Sequence, residues 1–474
     1  MRAVLASLLL CSACVPAPPA IDLRDSGAAA PDSGDAMASA HDAGAVADTG
    51  PLTDAGALAD AGLLADSGAL NDAGLLTDVG GASDAADPID AGAPPDAGEP
   101  ADLGPRDSGP PHDAGPLTAM EQSLVDLPAD TWLRVGTGFG SVCDDNGEWH
   151  AVSGCSGLTA FSGGLYDPDH RWMLLWGGGH NDYAGNEVYA FKLGDFSWER
   201  LTTPSLGPYN RDPLADGQPV SRHTYDGLTW IGDQHLMWAW GGARANDGNG
   251  TNEIWVFDPS QRQWTNTTQP GTPGSAYESS ALWDPVSGLI YLKAGEHFRT
   301  YDPRSRVWAE PHNFGFPPLW PRYAGGHQRA TLDTRRRLIW FIGGDLYMIY
   351  DIAADRFVTD DWITTGGGQF NNAAAIGGHT EQRIDTGGAA VIQAADPGLD
   401  YDVRADQLVS WTGQALWVLD LTTKAWTQKP APGGPVQPGG APIYGRFRYI
   451  EALNVFILVP NPTEVWFYKN TAGP

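Results

Sequence analysis

Ionisable side chains cluster where short apolar runs begin or end. His180, Asn181 and Asp182 follow Gly179, and Arg222 and His223 precede the next apolar run. Glu296 and His297 follow Gly295, with Glu278 ahead of the same unit. His327, Arg329 and Asp345 flank the following unit, Arg446 opens the last, and His379 lies in the longest insert. Imidazole, carboxylate and guanidinium groups gathered at one place can work as general acids and bases, bind a polar ligand, or ligate a transition metal. No HxxxH or HExxH spacing occurs. No metal or other cofactor is therefore expected, with a divalent cation as the open alternative. Tyr183 and Trp320 are candidate aromatic platforms for a sugar ring.

Whether these groups meet depends on the elements that carry them. From residue 118 onward one grammar recurs. LYDPDHRWMLLWGGG (165–179) is followed by NEVYAFKLGDFSWERL (186–201), and LTWIGDQHLMWAWGG (228–242) by NEIWVFDPSQRQW (252–264). ALWDPVSGLIYLKAG (281–295), ATLDTRRRLIWFIGG (330–344) and GLDYDVRADQLVSWTG (398–413) open three more such units. Each reads as strand, tight turn, strand ending in glycine, third strand, turn, and a fourth strand opened by an aromatic. Asp258, Asp302, Asp351 and Asp420 each lie six residues before that aromatic. Glycine after the second strand admits positive φ and close backbone approach.

These units resemble the kelch repeat: an apolar strand, Gly-Gly, an aromatic third strand, then Trp. Two units depart from the pair, with Ala294-Gly295 and Thr412-Gly413. The resemblance implies four-stranded blades of about 50 residues. The last unit, 444–469, supplies three strands, and DTWLRV (130–135) is the expected fourth. An N-terminal strand closing the ring removes exposed sheet edges. The expectation is an all-β, six-bladed propeller over 118–474. Its outer-strand aromatics are Trp132, Trp198, Trp264, Trp308, Phe357 and Trp426, and most aromatics are expected to pack between blades.

Strand direction alternates within a blade, so second-to-third and fourth-to-first connections share one face. The long connections 136–160, 202–222, 309–326 and 358–397 all belong to it. The candidate residues therefore converge on one polar funnel, and as loop residues facing solvent they should contribute little to stability. Galactose oxidase has a similar central propeller, but its copper-radical centre needs a Tyr–Cys cross-link. No Cys lies beyond Cys155, and SRHTYD (221–226) lacks the Tyr-His order of that family.

The first 14 residues read as a secretory signal, with Arg2, an apolar run from Ala3 to Leu10, and small residues before Cys14. LCSAC resembles a bacterial lipobox, which implies lipidation of Cys14 and, without Asp after it, an outer-membrane lipoprotein. Cys143 and Cys155 then remain as an even pair in an exported domain, and a disulfide is expected. Residues 15–117 form a low-complexity stretch in which Asp recurs every six residues from Asp42 to Asp102. Residues 1–117 hold no Phe, Tyr or Trp and carry 19 acidic against 3 basic side chains. Such a segment cannot build a core and is expected to be a disordered acidic tether.

The whole chain of 474 residues carries a net charge of −30. No Lys/Arg run exists to neutralise phosphates, so nucleic acid is not an expected partner. No run reaches the roughly 18–20 apolar residues of a spanning helix. Two function classes remain. One is a monomeric, membrane-anchored surface or periplasmic module binding a glycan or protein ligand. The other is a carbohydrate-active enzyme, a polysaccharide lyase or hydrolase, using the same funnel.

Overall fold

A computed structural model describes residues 115–474, except 137, 144–153, 180–182, 246, 275–276, 295–296, 311–327, 345, 359–387, 438–441 and 474. Residues 1–114, with the expected signal, lipidated Cys14 and tether, lie outside the described residues. The described chain opens with α1 (Ala119–Val125), started by a reciprocal cap. The Thr118 side chain accepts the Glu121 N–H at 3.2 Å, and the Glu121 carboxylate accepts the Thr118 N–H at 2.8 Å. Glu121 also pairs with Arg171 at 3.0 Å, and the Gly115 carbonyl accepts from the same guanidinium at 2.6 Å. The folded body thus reaches to residue 115.

The next element is β1 (Thr131–Arg134). Blade 1 follows as β2 (Gly164–Asp167), β3 (Trp172–Leu175), β4 (Tyr189–Lys192) and β5 (Ser197–Arg200). Blade 2 is preceded by β6 (Arg222–His223) and built from β7 (Leu228–Ile231), β8 (Leu236–Trp240), β10 (Ile254–Asp258) and β11 (Gln263–Asn266). A short β9 (Ala243–Arg244) pairs with β6. Blade 3 is β12 (Ser279–Asp284), β13 (Leu289–Ala294), β14 (His297–Asp302) and β15 (Val307–Trp308). Blade 4 is β16 (Arg329–Asp333), β17 (Leu338–Gly343), β18 (Leu346–Asp351) and β19 (Arg356–Phe357). After α2 (Ala389–Ile392), blade 5 is β20 (Gly398–Asp402), β21 (Gln407–Trp411), β22 (Leu416–Asp420) and β23 (Ala425–Lys429). Blade 6 is β24 (Phe447–Ile450), β25 (Val455–Asn461) and β26 (Glu464–Lys469), completed by β1.

The six blade sheets are four-stranded and antiparallel, so the chain is an all-β, six-bladed propeller, with β6–β9 as a separate two-stranded ribbon. Closure by the N-terminal strand is as the sequence predicts: Thr131 pairs with Lys469 and Arg134 with Trp466. Each of the six expected aromatics sits on an outermost strand. Several of them pack against the preceding blade. The Trp264 ring lies 4.6 Å from Trp176, Trp308 lies 6.0 Å from Trp240, and Phe357 lies 5.8 Å from Phe298.

One turn is used repeatedly. An Asp ends a strand and its carboxylate accepts N–H groups two and three residues on. Asp167, Asp284, Asp333 and Asp402 do this between first and second strands, and Asp302 and Asp420 between third and fourth. The fourth residue after each is left-handed: Arg171, Gly288, Arg337, Asp406, Arg306 and Lys424. The fixed turn explains the six-residue spacing from Asp to aromatic.

Candidate functional site at the axial mouth

The first strands β2, β7, β12, β16, β20 and β24 surround the axis, and polar links join them. Gly163 donates its N–H to the Thr224 hydroxyl at 2.8 Å, and Trp283 donates to Thr229 at 3.1 Å. Asp400 accepts from the Thr331 hydroxyl at 2.7 Å on one side and from the Tyr449 N–H at 2.8 Å on the other. Asp226 of blade 2 reaches past blade 3, accepts the Ala330 N–H at 2.8 Å and pairs with Arg329 of blade 4.

On the long-loop face the chain enters several first strands through a strained residue. Phe161, Tyr225, Asp396 and Tyr444 have φ of 48°, 48°, 50° and 47°. Each stands two residues before Gly163, Gly227, Gly398 or Arg446 respectively. A bulky side chain in the left-handed region costs on the order of 1–2 kcal/mol and persists only where the surroundings impose it. Here the next residue must turn onto the axis with no room to spare. A Cβ on Gly163 would stand 2.3 Å from the Tyr225 carbonyl oxygen.

The three aromatic entries come from blades 1, 2 and 6 and form one cluster with His223. The His223 ring lies 4.9 Å from Phe161 and 5.8 Å from Tyr225, and Tyr225 meets Tyr444 edge-on at 5.6 Å. Tyr444 is 0% exposed, whereas Phe161 keeps 37% of its surface in water. Burial above all, then the carboxylates of Asp396 and Glu278, pushes the Tyr444 phenol well above its ordinary range. Lys293, at the end of β13, is buried, and desolvation pulls its ammonium down to about 8 against the opposing charge of Glu278. Glu278 thus acts electrostatically on both Lys293 and Tyr444.

The structure places the expected residues unevenly. His180, Asn181, Asp182, Glu296, His327, Asp345, His379 and Trp320 lie outside the described residues. His297 begins β14 opposite Ala294, and its side chain is not described. The four remaining residues are not solvent-facing loop groups. Arg222, His223, Arg329 and Arg446 are each at most 4% exposed. The physical reason is that a residue ahead of a first strand faces the crowded axis and not the open mouth.

Arg222 pairs with buried Asp212, donates to the Gly241 carbonyl at 3.2 Å and lies 5.4 Å over the Trp176 ring. His223 is wedged between two glycine runs. A Cβ on Gly179 would meet its nitrogen at 2.2 Å, and one on Gly242 its carbonyl oxygen at 2.3 Å. Those glycines have φ of +84° and +98°, as the reading of Gly after the second strand requires.

Arg446 donates only to backbone carbonyls: Ser162 at 2.9 Å, Val459 at 2.7 Å, Pro460 and Thr159 each at 3.1 Å, and Pro442. It ties blade 6 to the segment leading into blade 1, and burial pulls its guanidinium down to about 10. Tyr183 is fully buried and cannot serve as a sugar platform. Its hydroxyl donates to buried Glu187, which also accepts from Tyr189 at 2.8 Å. Among the described residues, the exposed ring of the His223 cluster is Phe161.

Phe161, Tyr225, Tyr444, Asp396 and Lys293 escape the sequence reading. An aromatic two residues before Gly, in FSG (161–163) and YDG (225–227), is a signal that could have found two of them. Among the described residues no group of three or more His, Cys, Asp or Glu is placed to hold a metal ion. No helix among them is long and apolar enough to cross a membrane.

No protein-family model matches the chain. A stretch of 159 residues, 31% of the chain, is 27% identical to part of the human multiple epidermal growth factor-like domains protein 8 and covers 5% of that protein. Coverage this small transfers no activity.

Proposed function

We propose that this chain is a kelch-type binding propeller, exported and lipid-anchored at Cys14, that takes a glycan at the axial mouth of its long-loop face. The observation carrying this reading is the strained aromatic cluster. Phe161, Tyr225 and Tyr444 come from three blades, and none of the blade turns requires their left-handed backbone. An exposed Phe161 ring backed by His223 and Tyr225 offers an apolar face to a sugar, and the partly exposed Glu278 carboxylate, on another entry loop of the same face, offers a polar partner. The tether of 15–117 sets the propeller away from the membrane. A Cys143–Cys155 bridge belongs to the same exported reading, and Cys143 does not stand as a free thiol.

One observation favours the enzymatic alternative. Burial pulls the Lys293 ammonium down to about 8 against the Glu278 carboxylate, a range suited to proton transfer. Saturation-transfer NMR against a polysaccharide panel, followed over hours, separates the cases. Transfer to a glycan without product means a binder. New reducing ends or unsaturated-uronate absorbance means an enzyme. No transfer to any glycan removes both. The anchor is tested separately, since Cys14→Ser should abolish fatty-acid labelling.

A further inference from the structure

On the opposite face, two short turns of neighbouring blades build one continuous chain of hydrogen-bonding groups. Asp167 ends β2, and its Oδ1 accepts the N–H groups of Asp169 at 2.9 Å and His170 at 3.2 Å. Its Oδ2 takes Nδ1 of His170 at 2.7 Å. The His170 ring is stacked on Trp172 with centroids 4.4 Å apart. Its Nε2 stands 3.1 Å from the hydroxyl of Ser260 in the β10–β11 turn of blade 2. Asp167 is fully buried, His170 is partly exposed and Ser260 is exposed.

The same turn position holds Ser287 in blade 3 and Arg336 in blade 4, and each donates to its own turn Asp. Ser287 only locks its turn, and Arg336 also reaches a carboxylate of the next blade, Asp406, at 2.6 Å. His170 locks its turn with one nitrogen and presents the other to a serine of the next blade. The Ser260 N–H has no partner among the described residues, because Asp258 accepts from Gln261 instead, at 3.0 Å.

We propose that Ser260, His170 and Asp167 form a serine-nucleophile site that hydrolyses small acyl esters, separate from the axial mouth. The order of roles follows from the distances. Nε2 of His170 takes the proton of the Ser260 hydroxyl as Oγ bonds to the ester carbonyl carbon. The carbonyl π pair moves onto its oxygen, where the Ser260 N–H can donate. Collapse breaks the bond to the alkoxide, which leaves as the alcohol with the proton from His170. Water, deprotonated by His170, then attacks the acyl-serine, and the carboxylic acid departs as the Oγ proton returns. Asp167 is a positioning residue: it fixes Nδ1–H toward itself and leaves Nε2 to face Ser260.

The test treats the full-length protein with a fluorophosphonate and with p-nitrophenyl acetate, and maps the adduct by mass spectrometry. The expected result is one adduct, on Ser260, absent in Ser260→Ala. His170→Gln should slow labelling by about a hundredfold or more with the melting temperature little changed. Labelling of the wild type should fall as His170 becomes protonated. The midpoint should lie above the ordinary imidazole value, since the bond to Asp167, and then the charges of Asp169 and Asp258, raise it against burial. Asp167→Asn should shift that midpoint downward, which a purely structural contact would not do. If Asp167→Asn fails to fold, the His170→Gln rate and the wild-type pH profile decide. No adduct on Ser260, equal labelling of His170→Gln, or a flat pH profile would overturn the proposal.

Discussion

On the short-turn face, Arg304, Arg337 and Arg336 each reach into a neighbouring blade for a carboxylate, on Asp233, Asp284 and Asp406. The pairs are part-exposed and repeat around the rim. On the long-loop face Arg446, Arg222 and Arg329 are buried and no two do the same thing. Arg446 binds carbonyls, Arg222 binds Asp212, and Arg329 crosses the axis to Asp226. An exposed pair is worth about 0–1 kcal/mol, whereas breaking a buried charged network costs about 3–5 kcal/mol. One face is therefore redundant and tolerant of change. The other is a set of singular, committed contacts with a small accessible rim, and that rim is where a ligand can be received.

The largest test of this contrast is ring closure. A chain starting at residue 136 loses β1, with the Trp132 ring 4.9 Å from Tyr468, and α1 with its Arg171 pair. It should melt roughly 10 °C or more below the full chain. A chain starting at residue 115 should melt like the full chain. A start at Met120 would remove the Thr118 cap and the Gly115 contact, at about 1 kcal/mol for the cap alone. Equal melting of the 115 and 136 starts in calorimetry would show that β1 does not close the ring.

Next comes Arg446→Met, which leaves the carbonyls of Ser162, Thr159, Val459 and Pro460 without their buried donor. Denaturant unfolding should show a loss of about 3–5 kcal/mol. A loss below about 1 kcal/mol would mean the long-loop face is as redundant as the other.

The rim pairs give a smaller, pH-dependent effect. The Arg336 guanidinium first, and then the Tyr401 hydroxyl, holds Asp406 down at about 2. A carboxylate depressed in the folded state stabilises above its ordinary range, and that stability is lost as pH falls toward its folded value. Arg336→Ala should cost about 1 kcal/mol at pH 7 after allowing for solvent screening. Its difference from wild type should shrink between pH 4 and about 2. A gap unchanged with pH would contradict the assignment.

The sequence exposes what repeats. Six outer aromatics, the Asp-to-aromatic spacing and the glycine runs recur in register, so the blades and the N-terminal closure could be read before any coordinates. The turns at Asp167, Asp284, Asp333 and Asp402 and the Thr118–Glu121 cap carry local signals that the sequence reading left unused. What occurs once is harder. Arg446 and Arg222 fall at loop positions, and spacing gives the position but not whether the side chain turns into the axis or out to water. Tyr444 comes under the charge of Glu278 only after the ring closes on itself, although Lys293 and Glu278 share the β12–β13 hairpin. His170 and Ser260 are 90 residues apart and join only because blades 1 and 2 are neighbours.

The central claim is that the aromatic rim receives a ligand and contributes little else, and Phe161→Ala tests it directly. Phe161 is the exposed member of the cluster, so little packing is lost, and alanine keeps the Cβ and with it the left-handed backbone cost. Stability should therefore change by under about 1 kcal/mol. Retention of wild type and Phe161→Ala on a glycan array, with melting curves recorded alongside, is the measurement. The account predicts that the variant melts normally and loses the glycans that the wild type retains. A variant that melts normally and retains the same glycans would contradict it.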